Sequence, residues 1–123
     1  MFDKNSAIEA FSAAFGNNVK RLEAYCHDVG YEGDVMALAD LIRQIQEQVF
    51  GEIYRRSENQ PLNGEEITSI SREYVAAHEP WINDVGLNGL LQWVGWMAWH
   101  EGCMKIPQEL QELRKPKPWW QVW

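Results

Sequence analysis

The feature that most constrains this chain is residues 86–101, whose sequence GLNGLLQWVGWMAWHE is apolar on almost every side of a helix. At about 100° per residue, its aliphatic residues share one stripe, formed by Leu87, Leu90, Leu91, Val94, Met97 and Ala98. Trp96 and Trp99 fall on the opposite side, beside Gly89 and Gly95. A helix that is apolar all round is normally buried all round, and this one is too short for a membrane span. The stretch therefore predicts a central helix with other helices packed around it.

Other segments with helical periodicity surround this stretch in the sequence. The predicted helices cover residues 6–15, a short stretch after Asn18, and residues 34–56, 64–78, 86–101 and 107–114. The predicted caps are Asn18 for the short second helix, Asp34 for 34–56, and Asn83 or Asp84 for the central helix. Ser6 with Glu9 and Asn63 with Glu66 have the spacing of a capping box. Residues 27–33 carry two glycines among polar residues and predict a loop. We therefore expect one all-α domain over residues 1–123, a bundle of five to six helices.

Composition narrows the classes of partner. The net charge of −7 argues against nucleic acid or an anionic membrane as a direct partner and permits a basic protein. No signal peptide and no membrane span is predicted, so we expect a cytoplasmic protein. Cys26 and Cys103 are too few and too far apart for a disulfide framework or a structural zinc site, and each is expected to be buried.

Each of the three histidines precedes an acid, which raises the question of a metal or acid–base site. His78 is predicted on the inward face of its helix, and His100 with Glu101 ends the central helix, so these three are the weak candidates for ligands. Helical metal sites usually place ligands three or four residues apart, as in ExxH or HExxH, and neither motif occurs here. A cysteine enzyme built on Cys103 near His100 lacks a third orienting group. We therefore predict no metal, no cofactor and no catalytic residue.

The distribution of acids is more informative. Between Arg21 and Arg43 there are five acids and no lysine or arginine. The centre of this run supplies the predicted partner-binding residues, which are Asp28, Tyr31, Glu32 and Asp34. A tyrosine among carboxylates is typical of a surface that binds a basic protein. The alternative is an ordinary solvated surface.

The chain closes with a tryptophan-rich segment, 115–123, of sequence KPKPWWQVW. Three tryptophans left in water would favour aggregation, so Trp119, Trp120 and Trp123 are expected to dock. The dock is on the bundle of the same chain or on another chain, as in a homodimer. These three residues are therefore the second candidate for an interface.

Three function classes remain after this reasoning. The first is a small acidic module that binds and inhibits a basic partner, such as a toxin or nuclease, as a bacterial immunity protein or a phage-encoded inhibitor does. The second is a small helical enzyme that uses histidine and glutamate, with or without a metal. The third is a structural or adaptor subunit that dimerises through its tryptophans. The sequence favours the first, because acidic balance steers a protein toward a basic partner and no catalytic motif is present.

Overall fold

Five α-helices and no strand form the part of the chain that the computed structural model describes, residues 1–13 and 17–103. The helices are α1 (Lys4–Ser12), α2 (Val19–Val29), α3 (Val35–Arg56), α4 (Gly64–His78) and α5 (Asp84–His100). The predicted all-α bundle is thereby confirmed. The predicted helix over 107–114 and the segment 115–123 lie outside the described residues.

Each helix begins at a polar side chain that accepts a backbone N–H group of its first turn. These caps are Asp3, Asn18, Asp34, Asn63 and Asn83. Asn63 and Glu66 form the complete capping box that their spacing predicts. The caps of the second to fifth helices are thus confirmed.

The predicted cap of the first helix is wrong. Ser6 lies inside α1, and its hydroxyl donates to the Asp3 carboxylate at 3.0 Å. Asp3 caps the helix instead, because its carboxylate accepts the backbone N–H of Asn5 at 3.1 Å. This backbone hydrogen bond, with the Ser6 hydroxyl, lowers the pKa of Asp3. The helix therefore starts two residues earlier than the spacing of Ser6 and Glu9 predicts.

The predicted loop over 27–33 is also shorter than expected. α2 continues to Val29, and Gly30 ends it with φ of 71°, a left-handed conformation that glycine adopts without strain. The backbone N–H of Gly30 donates to the carbonyl groups of Cys26 and His27. His27 and Asp28 consequently belong to the last turn of a helix.

α5 lies at the centre of the bundle and packs against α1, α3 and α4, while α2 packs on α1 and α3. α4 and α5 are antiparallel, because the Leu62 N–H before α4 donates to the Cys103 carbonyl after α5 at 2.7 Å. The shared core is aliphatic, with Phe11 its largest fully buried side chain. Within residues 1–13 and 17–103, no helix has both the length and the apolarity to cross a membrane.

α1 and α5 approach each other closely at two glycines. A Cβ atom built on Gly89 would lie 2.8 Å from the Cα of Glu9, and one on Gly86 would collide with the Asn5 side chain. The Asn5 amide is buried and accepts the Asn83 N–H at 2.9 Å while donating to the Trp81 carbonyl at 3.3 Å. These contacts fix the position of α1 on the first turns of α5.

The expectation that α5 is buried on every side is wrong. Apart from Gly89, which α1 contacts, its buried residues form one side, and Trp96 and Trp99 on the other side are 38% and 40% exposed. Asn5 meets the start of α5 and Glu9 meets Gly89, so α1, which ends at Ser12, is level with the first half of α5 only. Helix α1 therefore ends before it could cover the Trp96 side.

Candidate partner-binding surface

The acidic residues singled out by the sequence lie around the connection between α2 and α3. Asp28 occupies the last turn of α2, and its side chain is 79% exposed. The His27 imidazole lies 3.9 Å from the Asp28 carboxylate and is itself almost fully exposed. Glu32 is exposed in the connection. Asp28 and Glu32 therefore present carboxylates to solvent, as a surface for a basic partner requires.

Tyr31 has an internal role in this connection. Its ring stacks on Phe2 with 4.3 Å between ring centroids, and Phe2 also contacts the ring of Tyr25. The Tyr31 N–H donates to the Cys26 carbonyl at 2.8 Å. Tyr31 thus holds the connection against the N-terminus, and only part of its ring remains for a partner.

Asp34 also has a structural role. Its carboxylate accepts the backbone N–H groups of Met36 at 2.9 Å and Ala37 at 3.3 Å at the start of α3. A carboxylate held in this way caps the helix and is directed along the backbone. Of the four residues that the sequence proposes, Asp28 and Glu32 are the two exposed carboxylates that do not cap a helix.

An open groove of about 670 Å³ lies between α1 and α2. Glu9 and Asp28 line it from the two helices, and the alanines Ala10, Ala13 and Ala24 line it between them. Arg21 also lines the groove. Neither Glu9 nor Arg21 has an ion-pair partner among the described residues. The groove is therefore a concave surface with small side chains and charged groups available to a partner.

Sequence reasoning missed this groove. It assigned Glu9 to a capping box, whereas the side chain is exposed beside the groove. The available indication was Ala10 of α1 and Ala13 directly after that helix, with Ala24 on the next helix. Small residues at these positions leave room between two helices.

The histidines are far apart. His78 ends α4 and stacks on Tyr74 with 4.3 Å between centroids, while His100 ends α5 and stacks on Trp96 at 5.1 Å. Because α4 and α5 are antiparallel, these two residues lie at opposite ends of the helix pair, on the order of 25 Å apart. His100 lies 3.5 Å from the Glu101 carboxylate. Among residues 1–13 and 17–103, no three potential ligands form a metal-binding group.

The expectation that His78 faces inward is wrong, because this residue is exposed. The buried side of α4 consists of Ile67, Ile70, Ser71 and Val75 and ends before the last turn. His78 instead lies beside a small surface pocket between α3 and α4. An exposed imidazole on a tyrosine ring needs no buried hydrogen-bond partner.

Both cysteines are free and buried, with Cys26 2% and Cys103 3% exposed. Burial raises the pKa of the Cys26 thiol. A thiol that is buried and protonated is a poor nucleophile. The two cysteines therefore behave as small core residues.

The second interface candidate of the sequence, formed by Trp119, Trp120 and Trp123, lies outside the described residues. Comparison of the chain with protein-family models, curated proteins and solved structures finds no match in any of the three.

Proposed function

We propose that this chain is a small acidic module that binds a basic protein and inhibits it. One observation carries the proposal: Glu9 and Asp28 line the same open groove, and three alanines are among its other lining residues. The proposed site comprises this groove and the adjoining Glu32. It unites the acidic run seen in the sequence with a concave surface of the fold.

The groove has the chemistry to receive a lysine or arginine side chain. The aliphatic stem of such a residue packs on small apolar groups, while its cationic head needs carboxylates at the end of its reach. Glu9 and Asp28 supply those carboxylates, and Ala10, Ala13 and Ala24 supply the apolar contact. Arg21 at the same groove offers a donor for a carbonyl or carboxylate of the partner, which orients the complex.

The net charge acts over a longer range. At −7, the chain attracts a basic partner and raises the rate of encounter at low salt. A basic toxin or nuclease is the partner class that fits this charge best. A cytoplasmic immunity protein or a phage-encoded inhibitor is the corresponding biological role.

The test compares charge reversal at the proposed site with the same reversal elsewhere. The site variant is Asp28→Lys/Glu32→Lys, and the control is Glu65→Lys/Glu73→Lys, two exposed acids of α4. Both variants change the net charge by the same amount. Immobilised parent protein first captures basic proteins from native lysate, and the captured protein is then purified for binding kinetics.

We expect the site variant to lower the association rate about tenfold or more at low salt, with a smaller effect at high salt. The control should lower it less. Tyr31→Ala is expected to reduce thermal stability, because the ring packs on Phe2. Equal binding by parent and site variant, or a larger loss in the control, would place the interface elsewhere.

A further inference from the structure

A second surface of the molecule is aromatic. This aromatic face consists of Phe50 and Tyr54 on α3 and Trp93, Trp96 and His100 on α5. Phe50 contacts the ring of Trp93 edge-on and the ring of Tyr54, each with 6.1 Å between centroids. Trp93, Trp96 and His100 are three and four residues apart and so share one side of α5. Tyr54 is 51% exposed and Trp96 38% exposed.

Three exposed acidic residues lie near members of the aromatic face along the chain. Glu47 lies one helical turn before Phe50, and Glu58 lies four residues after Tyr54; both are exposed. The Glu101 carboxylate lies 3.5 Å from His100 at the end of α5. Exposed aromatic rings with a polar rim are typical of a surface that another segment or molecule covers. The rim here calls for a segment that brings both aromatic and basic residues.

The remainder of this chain has that composition. Residues 104–123 follow Cys103, which lies at the His100 end of α5. Cys103 is 3% exposed, and its carbonyl accepts the Leu62 N–H. They contain four basic residues against two acidic ones, and three tryptophans within the last five positions. A segment with basic and aromatic residues, which complement the acidic rim and the rings, therefore follows Cys103 at the end of α5 beside the aromatic face.

We propose that the segment 115–123 docks on the aromatic face of the same molecule, with its tryptophans against the rings and Lys115 and Lys117 at the acidic rim. The face runs about 10 Å along α5 from Trp93 to His100. The twelve residues after Cys103 reach about 40 Å when extended, so the segment arrives without strain. Pro116 and Pro118 restrict its conformations and reduce the entropy lost on docking. This dock is separate from the α1–α2 groove, so either proposal can fail alone.

The test uses the full chain labelled with 5-fluorotryptophan. The seven tryptophans give seven fluorine resonances, each assigned by a single Trp→Phe substitution. The shift of each resonance on transfer from H₂O to D₂O reports solvent contact. The face variant is Tyr54→Ser/Trp96→Ser. The matched control is Met36→Ser/Leu41→Ser, which removes two apolar side chains of α3 that are 49% and 36% exposed.

In the parent and in the control we expect the resonances of Trp119, Trp120 and Trp123 to show small solvent shifts. In the face variant they should show the full shift of an exposed indole. Glu58→Lys/Glu101→Lys, which leaves every ring in place, should release the segment partly, with an effect that shrinks in high salt. This second variant decides the matter if the face variant does not fold.

Three results would overturn the proposal. Full solvent shifts in the parent would show that the segment lies in water. Unchanged shifts in both the face and the rim variants would place the dock elsewhere. A molecular mass by sedimentation equilibrium of twice the monomer mass in the parent, and of one monomer in the face variant, would show that a second copy of the chain covers the aromatic face.

Discussion

The two halves of α5 carry similarly apolar sequences but have different surroundings. In the first half, residues 84–92, Gly86 and Gly89 admit α1 so closely that an added Cβ would meet it. In the second half, residues 93–100, a Cβ on Gly95 would have no neighbour within 4 Å among the residues that the structure describes. Trp96 and Trp99 of that half are more than one-third exposed. The first half is an internal contact between helices, and the second half presents a surface.

This contrast shows that apolar composition alone does not decide burial. A helix face becomes core where another element meets it, and α1 is long enough to meet only the first half of α5. Glycine has a different role in each half for the same reason. In the first half it permits contact, whereas at Gly95 it leaves open space.

The largest expected loss of stability comes from placing a charge on the side of α5 that is buried along both halves of the helix. Val94 is fully buried, so Val94→Asp places an unpaired carboxylate in the core and should cost more than about 3 kcal/mol of unfolding free energy. Asn88→Asp adds the same charge to an exposed position of α5 and should cost little. Urea unfolding followed by circular dichroism compares the two. Equal midpoints would mean that Val94 is not in the core.

A smaller effect concerns α3, whose second half packs beside the second half of α5. The Glu52 carboxylate accepts hydrogen bonds from Arg55 at 2.6 Å and from Arg56 at 2.9 Å, and these lower the pKa of Glu52 to about 2. We expect Glu52→Gln to cost about 1 kcal/mol at pH 7, since solvent screens the half-exposed arginines. Glu47→Gln on the same helix is the control.

The pH dependence of that cost follows from the direction of the shift. The folded pKa of Glu52 is below its ordinary value of 4.5, so the stabilisation is complete above about pH 4.5 and declines as pH falls toward 2. The difference in unfolding free energy between parent and Glu52→Gln should therefore shrink over that range. A difference that stays constant from pH 7 to pH 3 would show that the ion pairs contribute nothing.

Four of the five helix caps and the all-α fold class were predictable from the sequence, whereas the contacts between the helices were not. Asn18, Asp34 and Asn63 were identified as caps, because a cap depends on a few neighbouring residues. The inward placement of His78 was wrong because helical periodicity does not say where the covering helix ends. Periodicity also gives no indication that Gln46 of α3 is fully buried, where its amide donates to the Ser12 hydroxyl at 3.0 Å.

Some features of the candidate site were also visible in the sequence, and others required the structure. The charge of Asp28 and Glu32 was visible in the sequence, and both residues are exposed. The structural role of Tyr31 required knowledge of Phe2, a residue far away in sequence. The groove required the packing of α1 against α2, which no local pattern specifies.

The most direct test of the contrast between the two halves of α5 is the change in unfolding free energy on Gly89→Ala and on Gly95→Ala. A Cβ at residue 89 would lie 2.8 Å from the Glu9 backbone, so Gly89→Ala should force the helices apart and destabilise the protein by about 1–3 kcal/mol. A Cβ at residue 95 meets open space, so Gly95→Ala should stabilise it by up to about 1 kcal/mol through helix propensity. Opposite signs support the contrast. Stabilisation by both substitutions would contradict the close contact of α1 with α5.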